Sequence, residues 1–187
     1  MKNHILPAIK MTLACLVVCV GAYSLLMWGI AKMVGPNNGE VELAYLDHKV
    51  VGAANVGQVF TSERYFWSRP SAVDYNAAGS GGSNKGPSNP AYLQNVADRI
   101  DTLLIQYPNL KRSEIPSELV TASGSGLDPQ LSPQAALLQV PRVASVRNLP
   151  VERVRAMVLT NVNKPLFGLF GTATVNVLEL NIALDHL

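Results

Sequence analysis

Two glycine-rich stretches hold most of the residues that could do chemistry. The first is Gly79-Ser80-Gly81-Gly82-Ser83-Asn84-Lys85-Gly86, and the second is Ser123-Gly124-Ser125-Gly126-Leu127-Asp128-Pro129. Asn and Gly tolerate positive φ, and successive backbone N–H groups in that conformation form a nest for an anion. Ser80, Gly81, Gly82, Ser83 and Lys85 are therefore candidate nucleotide-binding residues, with Arg69 as a further source of positive charge. A turn network that only stabilises the fold would use the same residues. A P-loop is excluded, because its lysine must be followed by Ser or Thr and Gly86 follows Lys85. Ala78-Gly79-Ser80-Gly81-Gly82 has the outline of a nucleophile elbow, so a membrane-anchored extracytoplasmic serine hydrolase is the alternative function. It lacks a convincing preceding strand, and His48 and His186 are poorly placed to serve as its base.

Other chemistries find less support. Cys15 and Cys19 are the only cysteines, and both lie in an apolar run, so the rest of the chain folds without disulfides. Only His48 and His186 remain there as soft ligands, which predicts no structural zinc and no metal bound by this chain. Apart from Lys2, Lys10 and Lys32, the remaining 12 basic residues face 13 acidic ones. A nucleic-acid-binding domain needs a net basic face, which that balance does not supply. Helices over 133–148 and 150–159, with Arg142, Arg147, Arg153 and Arg155, match a helix-turn-helix in length. A helical hairpin with a solvated basic face explains them better.

The elements that position these residues begin with a membrane segment. Only 15% of the 187 residues are charged and the mean hydropathy is +0.17. Met11 to Ala31 contains neither charge nor proline, and 21 helical residues span roughly 31 Å, a bilayer's hydrocarbon thickness. Lys2 and Lys10 precede the run, while Lys32 and Lys49 follow it. That slight bias, with Trp28 near the far interface, predicts a cytoplasmic tail over 1–10, a transmembrane helix over 11–33 and an exported domain over 34–187. Gly29 and Ala31 have the spacing of a signal-cleavage site, but the apolar run exceeds a signal core. Along one face of this helix, Thr12, Cys15, Cys19, Ala22 and Gly29 form a small-residue stripe suited to docking another helix, and Ala8 extends it.

The exported part reads as a single compact α+β domain. Val50 to Phe60 predicts a hairpin or two short strands. Phe60, Tyr65, Phe66 and Trp67 predict a small apolar cluster under the long loop from Ser68 to Pro90. Asn89 with Pro90 opens a helix to Gln106, and Ser132 with Pro133 opens another that Pro141 should kink. Pro150 opens a third, carrying Val151, Val154, Met157 and Val158 on one face. Val175 to Leu184 reads as a strand, or as a short strand running into a helix.

Six strings in order resemble one family, the C chain of the bacterial Kdp potassium-transporting ATPase. They are 65–72 (YFWSRPSA), Tyr75-Asn76, 80–90 (SGGSNKGPSNP), 120–129 (VTASGSGLDP), 139–144 (QVPRVA) and 175–178 (VNVL). The resemblance covers nearly the whole chain. It implies an accessory subunit in the cell inner membrane, partnered by a K⁺-binding channel-like chain, a P-type ATPase chain and a small single-helix chain. It further implies help with assembly and a role as catalytic chaperone for ATP binding by the ATPase chain. No Asp-Lys-Thr-Gly-Thr phosphorylation motif occurs here, so hydrolysis falls to a partner, and the resemblance implies ATP as a cofactor through the complex. Ser80-Gly81-Gly82-Ser83 is similar to the Ser-Gly-Gly-Gln core of the ABC-transporter signature. It departs at Ser83, and Gly79 stands where that signature has leucine. An exported loop does not meet cytoplasmic ATP, so outward topology and direct ATP contact exclude one another.

Overall fold

The computed structural model describes residues 2–187. Met1 of the expected N-terminal tail lies outside the described residues, as does the side chain of Lys2. The chain divides into two compact units, one ending at Glu42 and one beginning at Leu43.

The first unit is helical from Lys2 to Val34. Helix α1 (Lys2–Cys15) passes into a π-helical segment (Leu16–Ala22) and then into α2 (Tyr23–Val34). The wider turn shows in the amide of Tyr23, which donates to the Val18 carbonyl five residues back. His4–Val34 is long and apolar enough to cross a membrane. Gly35 ends it, donating its N–H to the Ala31 carbonyl, and a 3₁₀ turn follows over Pro36–Gly39. Gly39 takes φ +72° against Ala31, a conformation that suits glycine. Lys32 Nζ pairs with Glu40 at 2.6 Å, and this hydrogen bond and charge hold the Glu40 carboxyl below its ordinary value of 4.5.

The second unit is α+β. Strands β1 (Leu43–Leu46) and β2 (Lys49–Ala53) form an antiparallel hairpin closed by Asp47 and His48, both at positive φ. The expected strands at Val50–Phe60 are thus displaced. The first strand lies upstream, and residues 54–60 contain no strand. A two-residue turn with both φ positive fits the strand twist, and Asp47-His48 makes it without the usual Asn-Gly signal. Gly57 leaves the strand pattern because its N–H donates to the Leu127 carbonyl at 2.7 Å.

Helix α3 (Pro90–Gln106) has the expected bounds, capped by the Asn89 side chain accepting from the Tyr92 amide. Strand β3 (Gln130–Leu131), helices α4 (Pro133–Arg147) and α5 (Val151–Thr160), and strands β4 (Val162–Asn163) and β5 (Thr174–Asn176) follow. Ser132 caps α4 through the Ala135 amide, and the helix continues unbroken through Pro141. Asn148 at φ +54° ends it, in the left-handed conformation that Asn tolerates. Strand β5 runs directly into α6 (Val177–Asp185), with Asn176 capping the helix. The second sheet is antiparallel with order β3-β5-β4.

One core joins β3, α4, α5, β5 and α6: Leu131, Val140, Val143, Val154, Val158, Val175, Leu180 and Leu184 are buried together. Phe66 belongs to it and is fully buried, which corrects the expectation of a separate aromatic cluster under the loop. The backbone there is paired by side-chain amides, not by a strand. Asn181 exchanges hydrogen bonds of 2.8 and 3.0 Å with Phe66, and Gln139 exchanges bonds of 2.8 and 3.1 Å with Trp67. Buried amides held this way satisfy the backbone as a ladder would.

The basic face expected on α4 and α5 is corrected for α4 alone, since Arg153 and Arg155 of α5 are exposed. The Arg142 guanidinium bonds to Tyr107 Oη and to the carbonyls of Glu63 and Tyr65, and lies 4.2 Å over the Trp67 ring. Arg147 pairs with Asp185 at 2.6 Å, its side chain only 10% exposed. Both arginines brace the aromatic segment, because a planar fork can satisfy several carbonyls at once.

Candidate functional site

The two glycine loops meet. Ser80 Oγ and the Gly81 N–H both donate to the Ser125 carbonyl, at 3.0 and 2.9 Å. A Cβ on Gly82 would stand 3.2 Å from the Gly124 carbonyl oxygen. Within the two loops the most constrained glycine is Gly126, at φ +68°, where a Cβ would meet Val73 Cγ2 at 2.5 Å and the Gly81 oxygen at 2.9 Å. Ser71 Oγ completes the seam, donating to the Gly126 carbonyl at 2.7 Å and accepting from the amides of Val73 and Tyr75.

This seam corrects the nest. Between Ser80 and Gly86 only Asn84 has positive φ, so the glycines do not supply the left-handed positions expected of them. The constraint on Gly82 is close approach of a backbone, not left-handed conformation. Ser80 has no triad either. Its hydroxyl is engaged by Ser125 and follows a 3₁₀ turn (Ala77–Gly79), and among the described residues neither His48 nor His186 bonds to it. The hydrolase reading therefore has no support.

The candidate residues separate into two groups. Ser80, Gly81 and Gly82 form the seam. Ser83 and Lys85 line a cleft of about 310 Å³ together with Ser71, Tyr92, Asn95 and Arg99. Lysine and arginine with no carboxylate in the lining make a cationic wall suited to an anion. Arg99 was not among the sequence candidates. It is the one basic residue of α3, set between Asp98 and Asp101, and its Nη1 donates to the Val120 carbonyl at 3.0 Å. Arg69, expected to add charge, is instead paired with Asp128 at 2.8 Å. Asp128 also accepts from the Gln130 amide, tying the second loop to β3. Beside this pair, burial lifts the Tyr75 phenol above its ordinary value of 10.0, opposed by a hydrogen bond with Ser68 and by the Arg69 charge. Among the described residues no three His, Cys, Asp or Glu side chains gather as a metal site.

The stripe on the first unit is a separate surface. Cys15 and Cys19 are exposed, and a Cβ on Gly29 meets nothing within 4 Å. Cys19 and Ala22 fall within the π-helical segment, where residues advance by a wider turn than the α-helical spacing assumes.

The family model described as "KdpC: K+-transporting ATPase, c chain" matches residues 5–186. The chain belongs to the KdpC family. A potassium-transporting ATPase KdpC subunit of Flavobacterium psychrophilum is 56% identical over 187 residues, covering 100% of both chains. One from Bacteroides fragilis is 55% identical over 185 residues, covering 98% of this chain and 97% of the relative. One from Polaromonas naphthalenivorans is 46% identical over 190 residues, covering 100% of this chain and 96% of that one. KdpC chains are therefore similar to this one through both the apolar helix and the α+β unit.

Proposed function

We propose that this chain is the non-catalytic accessory subunit of the high-affinity ATP-driven potassium transport complex. The observation that carries the reading is the family match from residue 5 to 186, across an apolar helix and the whole α+β unit. Its partners are the K⁺-binding channel-like chain, the P-type ATPase chain and the small single-helix chain, all in the cell inner membrane. The N-terminus is cytoplasmic, and the domain from about Gly35 lies outside. The chain assists assembly and acts as catalytic chaperone for ATP binding by the P-type chain. With the domain outside, that effect passes through membrane-spanning neighbours. If the domain instead faces the cytoplasm, Ser83 and Lys85 with Arg99 provide the cationic cleft for the ATP phosphates, while Ser80, Gly81 and Gly82 shape its rim.

A cysteine introduced as Asn84→Cys, with Cys15 and Cys19 replaced by alanine, tests the topology. It should react with an impermeant thiol reagent in intact spheroplasts. Labelling that appears only after lysis would reverse the orientation and restore direct ATP contact. The chaperone role is read from the ATP dependence of the assembled ATPase with and without this chain. An unchanged KM for ATP would remove it.

A further inference from the structure

The loop between β4 and β5 carries the largest apolar side chains that the domain leaves outside its core in one run. Leu166, Phe167, Leu169 and Phe170 are 63%, 84%, 80% and 66% exposed. Scattered exposed apolar residues need no explanation, but a contiguous group on a projecting turn marks an interaction site. The loop is also ordered by its own bonds. Leu166 and Phe170 form an antiparallel bridge, and the N–H groups of Leu166, Gly168, Leu169 and Phe170 all donate to carbonyls within 165–170. Phe167 and Gly168 make the turn at φ 54° and 72°. A bulky residue in the left-handed region is strained, and no burial within the chain offsets it.

Three observations select the surface that receives this tip. First, four of the five backbone N–H groups from Leu166 to Phe170 are satisfied inside the segment, all but that of Phe167, which lowers the cost of entering a medium poor in water. Second, no acidic residue lies between Glu152 and Glu179, and exposed Lys164 at the base of the tip has no ion-pair partner among the described residues. Apolar residues flanked by a cation complement an anionic lipid surface. Third, four such side chains present on the order of 600 Å². A pair of identical tips would at most reach the low end of a stable protein interface, about 1,200 Å² in total, and two convex tips cannot cover each other fully. A fluid bilayer conforms to a convex tip. We propose that the tip from Leu166 to Phe170 inserts into the interfacial layer of the anionic phospholipid bilayer that holds the chain's own helix. The inference rests on the membrane anchoring proposed above.

The test uses the full chain with Cys15→Ala and Cys19→Ala, carrying a nitroxide on Phe167→Cys or, as control, on Ile105→Cys. It is reconstituted alone and within the complex, in nanodiscs of phosphatidylcholine with a minority of phosphatidylglycerol. Recovery in the nanodisc fraction tests the anchor separately from the tip. An ordered helical lineshape at 105 reports that the domain is folded. At 167, collisions with oxygen should exceed collisions with a water-soluble nickel chelate in both preparations, with the reverse at 105. The 167 ratio should shift toward the aqueous value in phosphatidylcholine alone. Free nickel access at 167 in both preparations would overturn the proposal. So would shielding from both reagents that appears only with the partner chains, which would assign the tip to a protein contact. An identical ratio with and without phosphatidylglycerol would remove the anionic lipid from it.

Discussion

Gly126 and Gly86 sit in neighbouring stretches of similar composition, yet their surroundings differ. Alanine at 126 would be strained at φ +68° and would press on Val73 and the Gly81 carbonyl, whereas a Cβ at 86 meets nothing within 4 Å. Gly126→Ala should cost about 2–3 kcal/mol of stability, from strain plus a clash that rigid backbone cannot relieve. Gly86→Ala should stay within about 0.5 kcal/mol of wild type. Urea unfolding of the detergent-solubilised chain measures both, and equal midpoints would refute the interlocked-loop geometry. Gly82 falls between them, since its carbonyl neighbour stands at 3.2 Å and its own φ is unstrained. Which glycine is irreplaceable is thus set by the partner loop, not by the local string.

Among the elements, the segment through Phe66 and Trp67 behaves as a strand whose neighbours are side chains. Asn181 reaches it from α6 and Gln139 from α4. Asn181→Leu keeps the volume but leaves the Phe66 N–H and carbonyl unpaired in the core, a loss of about 2–4 kcal/mol. Gln139→Met acts on a less buried segment and should cost about 1–2 kcal/mol. A wild-type melting temperature for the Asn181 variant would show that the clamp contributes nothing. At the end of α2, the Lys32–Glu40 pair has a pH signature. Glu40 is lowered, so its contribution is complete above the ordinary value of 4.5 and is lost as pH falls through the lowered one. A carboxyl ¹³C titration should place the Glu40 midpoint below 4.5, and Lys32→Gln should return it to that value. A midpoint unaffected by Lys32→Gln would disprove the pairing.

At the scale of the whole molecule, the exposed apolar helix offers two faces, one of small residues and one of larger aliphatic ones. If the small-residue stripe docks a partner helix, Cys19→Leu with Ala22→Leu should loosen assembly by about 1–2 kcal/mol through overpacking. Val17→Leu with Val20→Leu is a matched control, because all four positions lie in the same π-helical segment. Co-purification of the other chains in mild detergent measures the difference. Equal recovery from the two double variants would assign the stripe to lipid.

The sequence alone determined what depends on neighbours along the chain. The apolar helix follows from an uncharged run and α3 from its Asn-Pro start and apolar spacing, whereas 175–184 read as a strand or as a short strand running into a helix until the Asn176 cap decided it. Family membership was legible for the same reason, since ordered strings can be matched without knowing what they touch. Contacts distant in sequence were not legible. The β1–β2 turn lacked its usual glycine, Arg142 and Arg147 read as solvated charges, and Arg99 stood unremarked between two aspartates. Only the tertiary structure placed Ser125 against Ser80, Asp128 against Arg69, and Asn181 against Phe66, 115 residues away. Whether a polar group faces water or a buried carbonyl is decided by what folds over it, and local pattern carries no information about that.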